Sequence, residues 1–105
     1  MIVPLHRFDP RVVDKYSNNQ FRLLFWILKQ TISNGADEVT FLGVGGSSYR
    51  VTGLLRDGLE LEELCRRVLS SELNQVVAMS FPDLDQSFYD TLEQLYLLKY
   101  MSEAK

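Results

Sequence analysis

Gly43, Gly45, Gly46 and Ser47, followed by Ser48 and Arg50, are the residues of this chain best suited by type to hold an anion. Closely spaced glycines let successive backbone N–H groups converge on an oxyanion, and a nearby guanidinium adds charge. The spacing does not fit a nucleotide loop, however. Ser48 occupies the third glycine place of the dinucleotide fingerprint, and no Gly-Lys-Ser/Thr is present. Residues 48–52 alternate as a strand, where phosphate loops need a helix N-terminus. The stretch therefore reads first as a hairpin turn. The alternative is a small-molecule or nucleotide-sensing site with Gly45, Gly46, Ser47, Arg50 and Arg56 as anion contacts.

Other catalytic chemistry finds little material. Ser47 or Ser48 as nucleophile would need a histidine and an orienting acid; the only histidine, His6, lies in a strand-like N-terminal segment and reads as a surface residue. The only cysteine, Cys65, falls among helical core positions without a neighbouring basic cradle, so it is expected to be buried filler. One His and one Cys cannot build a metal site of the usual donor set, and Asp83 and Asp85 read as helix-start charges. The expectation is a protein that is no enzyme and needs no cofactor or metal.

The second candidate surface is aromatic. Tyr89, Tyr96 and Tyr100, with Leu97 and Met101, put apolar surface beside the main stripe of the last helix. Such a surface is either half-buried core with hydroxyls reaching water, or a seam for another protein or a second copy of the chain.

The elements that position these residues form an α+β domain spanning 1–105. Ser17 as N-cap, Gln20 three residues on, and Tyr16 with Phe21 as a hydrophobic staple mark a helix start. Phe21, Leu24, Phe25, Leu28 and Ile32 repeat at helical spacing, while Leu23, Trp26 and Ile27 widen the apolar arc. A helix over 17–34, covered on more than one side, ends at Asn34-Gly35. Val39 and Phe41, then Tyr49 and Val51, alternate with polar or outward residues, which predicts a hairpin over 38–56, joined or not by the N-terminal segment. Leu61, Leu64, Cys65, Val68 and Leu69 predict a second helix over 59–72, starting near Asp57 or Gly58. Val76-Val77-Ala78-Met79 is ambiguous, and an irregular or helical connection is expected over 74–81. Asp83 with Gln86 has the pattern of a capping box for a third helix over 83–102. A small antiparallel sheet packed on three helices results.

Composition is compatible with that size: 105 residues, 46% hydrophobic and 24% charged, suffice for a core without staples. A single cysteine excludes an internal disulfide and gives no argument for an oxidising compartment. No apolar run reaches membrane-spanning length and the first residues lack a secretory core, so no membrane insertion and a cytoplasmic location are expected. Residues 1–35 carry five basic and two acidic side chains, and 36–105 six and twelve, which leaves a net charge of −3. Five scattered cations and a pI near 5.0 argue against nucleic acid as partner.

Gly35-Ala36-Asp37-Glu38-Val39 and Tyr49-Arg50-Val51-Thr52-Gly53-Leu54-Leu55-Arg56, preceded by the Leu-rich helix, carry a family likeness. Residues 20–56 resemble the N-terminal PAS-like domain of type II secretion and type IV pilus ATPases. There, a helix ending in Gly-Ala-Ser-Asp-Ile-His leads to a strand carrying Arg-Val-Asp-Gly-Val-Leu. Glu38 stands where that family has Asp, Thr40 where it has His, and Thr52 where it has Asp; Arg50 keeps a basic position. The Walker motifs of the family's catalytic half are absent from this sequence. The resemblance thus implies an isolated or repurposed accessory domain that binds another protein or modulates a larger machine, without ATPase activity.

Overall fold

The structure, a computed structural model, describes residues 1–9, 19–55, 60–73 and 75–103, with side chains other than those of Asn19, Ser71 and 100–103. In chain order the elements are β1 (Ile2–Pro4), α1 (Asn19–Ser33), β2 (Glu38–Gly43), β3 (Ser48–Thr52), α2 (Leu61–Arg67), β4 (Val76–Ser80) and α3 (Phe88–Glu103). A single 3-10 turn follows β1 over Leu5–Arg7, and α2 widens into a π turn over Val68–Glu72. The fold is α+β, with three helices and one four-stranded sheet among the described residues.

The sheet order is β1-β4-β2-β3, antiparallel throughout. Two crossings are interleaved: β1-α1-β2 spans β4, and β3-α2-β4 spans β2. Val3 lies opposite Met79, Met79 opposite Phe41, and Phe41 opposite Tyr49, so one row of side chains crosses all four strands on a single face. Val3, Met79, Phe41 and Val39 are fully buried there beneath Leu24, Ile27 and Leu28 of α1, Cys65 and Val68 of the second helix, and Leu92 of α3. β2 alternates buried with half-buried positions along its length, so the helices share that one face, and no helix among the described residues covers the other.

The strand at 76–80 corrects the expectation of an irregular or helical connection over 74–81. A short run of β-branched and apolar residues carries no period of its own, and here two neighbouring strands supply the ladder that decides it. Leu42 pairs with Ala78 but Gly43 with Val76, so Val77 is an extra residue and a bulge bends β4 at its start. Gly43 suits a crowded position: a Cβ there would lie 3.1 Å from the Gln75 carbonyl oxygen and 3.2 Å from Leu73 Cδ2, so its neighbours would have to give way.

The third helix begins at Phe88 instead of Asp83, because both members of the expected capping box have other partners. An Asp83 carboxylate oxygen accepts the Asp37 N–H at 2.9 Å, and Gln86 bonds the backbone of Ile2. Asp85 accepts the Ser87 N–H and, through its carbonyl, the Phe88 N–H. The first helix stops as expected, with Gly35 at φ +99° and its N–H bonded to the Ile32 carbonyl at 3.0 Å. Ser17, Tyr16, Asp57 and Gly58, which carried the expected helix starts, lie outside the described residues.

Candidate functional site

The Gly43–Ser47 turn closes on itself. Gly43 donates its N–H to the Ser47 carbonyl at 2.8 Å, and Ser47 Oγ donates to the Val44 carbonyl at 3.1 Å, with Gly45 and Gly46 at φ +77° and +83°. Arg50 is not brought to this turn. Its Nε and Nη2 form two bonds to the Glu38 carboxylate, at 2.9 and 3.0 Å, one ladder step away from the turn. That pairing, bond first and charge second, raises the Arg50 pKa and offsets its charge. Arg56 lies outside the described residues.

On α3, Tyr96 points inward. Its ring meets Trp26 of α1 edge-on at 5.4 Å and Phe8 at 5.3 Å. Tyr89 meets Phe8 at 5.8 Å, and among the described residues its buried hydroxyl makes no hydrogen bond of good geometry; burial, then the nearby Glu93 carboxylate, raises its pKa. Two of the expected seam residues are therefore core contacts. Leu97 is 54% exposed, and Leu98, which periodicity did not single out, is 65% exposed. The side chains of Tyr100 and Met101 lie outside the described set. Apolar residues thus occupy both the inner and the outer side of α3, where one buried stripe would suffice for a surface helix.

Cys65 is fully buried as expected, its thiol pushed up to about 12 by burial and then by the charge of Glu62. His6 is exposed. Among the described residues no group of three or more His, Cys, Asp or Glu could hold a metal, and no helix is long and apolar enough to cross a membrane.

The two edges of the sheet differ. At β1, Met1 and Phe81 exchange both backbone bonds, which turns the N–H and carbonyl of Ile2 outward, where the Gln86 amide takes both. Pro4, the next residue facing outward, has no N–H to offer. At β3, the Gly43–Ser47 bond fixes the same parity: Phe41–Tyr49 and Val39–Val51 are the bonded pairs, and the backbone groups of Ser48, Arg50 and Thr52 point away from the sheet. Among the described residues nothing bonds to them. Below this edge, Tyr49, Val51 and Leu54 face Leu61 and Leu64 of α2 across a pocket of about 120 Å³ rimmed by Glu60, Glu63 and Arg67. Sequence periodicity marked several of these residues as core but gave no sign of the gap between them. No protein-family model, curated protein or solved structure matches this chain.

Proposed function

We propose that this chain is a non-enzymatic protein-interaction or regulatory accessory module that docks through the outer side of α3. The observation that carries this reading is the adjacent pair Leu97 and Leu98, both more than half exposed on a helix whose inner side is already filled by Leu92 and Tyr96. Exposed leucines side by side gain free energy when a partner covers them. The partner is another protein or a second copy of the chain, since a two-fold seam presents the same patch twice. The resemblance of residues 20–56 to the N-terminal domains of secretion and pilus ATPases supports an accessory role beside a larger machine, and the lone buried thiol suits a cytoplasmic one. The anion-sensing alternative draws less support, because Arg50 is turned onto Glu38.

Leu97→Glu and Leu98→Glu test the proposal. Both sites are exposed, so stability should change by no more than ~0.5 kcal/mol. Light scattering over a concentration series reads self-association, and cross-linking in cells reads other partners. Loss of a dimer or of a cross-linked partner in both variants supports the reading. A monomeric wild type whose cross-links survive both substitutions removes it.

A further inference from the structure

We infer that the free edge of β3, with the groove between β3 and α2, is a second docking site, for an extended peptide segment of another protein that adds to the sheet as a further strand. Three features of the structure converge on this. Ser48, Arg50 and Thr52 present N–H donors and C=O acceptors outward at strand spacing, and only another extended backbone matches such a row. The same sheet closes its other edge with Gln86 and Pro4, so openness is particular to β3. The groove lies on the side where alternate side chains of an added strand must point.

The ladder sets which residues go where. Partner residues opposite Ser48, Arg50 and Thr52 carry their side chains on the uncovered face, beside the Arg50–Glu38 pair. Those opposite Tyr49 and Val51 point toward α2, into the pocket formed with Leu54, Leu61 and Leu64. That apolar pocket of about 120 Å³ has room for one branched aliphatic or aromatic side chain. Among the described residues, Glu60 and Glu63 outnumber Arg67 on its rim, which favours a Lys or Arg two residues from the apolar anchor. A second copy of the chain fits poorly: its own β3 would bring Tyr49 and Val51, which are already packed in their own core, and the groove would stay unfilled.

The test uses the full chain and a phage-displayed library of random octapeptides. Enrichment of peptides with an apolar residue and a basic residue two places away, absent from selections on an unrelated domain, is the expected result. Arg50→Pro removes an outward donor that has no internal partner, as edge strands tolerate, whereas Arg50→Ala removes the Glu38 pair and keeps the donor. The selected peptide should bind Arg50→Pro and Leu64→Lys about tenfold more weakly than wild type, and Arg50→Ala within about threefold. Circular dichroism checks that each variant is folded; Leu64→Lys, away from the strand backbone, stands if Arg50→Pro is not. Leu98→Glu should leave the peptide affinity unchanged, which separates this site from the α3 surface. No enrichment, or wild-type affinity retained by folded Arg50→Pro and Leu64→Lys, overturns the proposal. A wild-type dimer abolished by Arg50→Pro would give the edge to a second copy and equally overturn it.

Discussion

Gln86 supplies β1 with the neighbour strand it lacks: its Oε1 accepts the Ile2 N–H at 3.0 Å and its Nε2 donates toward the Ile2 carbonyl at 3.3 Å. The amide copies the donor and acceptor pair of a peptide unit from 84 residues away in the chain. This bond also ties the segment between β4 and α3 to the sheet edge, next to Met1, whose N–H groups donate to the carbonyls of Phe81 and Leu84.

Gln86→Ala should therefore act twice. Two exposed hydrogen bonds are lost, with an expected destabilisation of about 1 kcal/mol in urea unfolding. The uncovered Ile2 groups would also make β1 a template for pairing, so light scattering should rise on storage at high concentration. Gln86→Glu keeps the acceptor and loses the donor, and should fall between the two. Wild-type stability and solubility in Gln86→Ala would show that the amide is incidental to the edge.

Cys65 predicts a pH dependence with a definite sign. The thiol rises from an ordinary value of 9.0 to about 12 in the folded chain, chiefly through burial. Below about 9 it is neutral in both states and its contribution is fully present; as pH rises toward about 12 the unfolded chain ionises first, and stability falls. Tyrosine and lysine also titrate there, so the comparison is Cys65→Ala, whose stability should decline less steeply between those limits. A thiol reagent at about pH 8, just below the ordinary thiol range, should label the native protein far more slowly than the protein in denaturant. Rapid native labelling would contradict the burial.

Gly35 ends α1 at φ +99° with open space where a Cβ would stand, so its substitution isolates backbone strain from crowding. Gly35→Ala is expected to lose ~1 kcal/mol, and Gly35→Val more, because a β-branched residue is poorly tolerated at positive φ. Gly35→Asn should recover part of the loss, since Asn enters the left-handed region more readily. Thermal or urea unfolding of the three variants gives the order; equal stability for all would mean that this conformation costs the side chain nothing.

Much of this fold was legible locally. Val39, Phe41, Tyr49 and Val51 alternate, and Gly35 follows a helical face, so the hairpin and the end of α1 could be read from neighbours in sequence. β4 could not, because Val76–Ser80 becomes a strand only by standing between β1 and β2. Asp83 and Gln86 have the residue types of a capping box, yet both spend their hydrogen bonds on residues distant in the chain, Asp37 and Ile2. The groove beside β3 is assembled from residues of a strand and a helix whose separation no periodicity encodes. For the same reason the sequence left Tyr96 between half-buried core and seam: the partners that turn its ring inward, Phe8 and Trp26, come from distant segments.

That contact yields the last prediction. Trp26 is half-buried, with its indole edge-on to Tyr96 at 5.4 Å and an interplanar angle of 70°. Full burial would imply a loss of about 3–5 kcal/mol on truncation, but a half-buried ring forfeits less apolar area, so Trp26→Ala should cost roughly 2–3 kcal/mol. Tyr96→Ala also removes the contact with Phe8, and should be comparable. A double-mutant cycle on Trp26 and Tyr96 should give a coupling of about 0.5–1.5 kcal/mol, the range for aromatic pairs in this geometry. Tryptophan emission should lie between the buried and water-exposed limits and shift red in Tyr96→Ala, because that substitution opens one side of the indole to water. Zero coupling with unshifted emission would mean that α3 does not pack on α1 through this pair, and the inward assignment of Tyr96 would have to be given up.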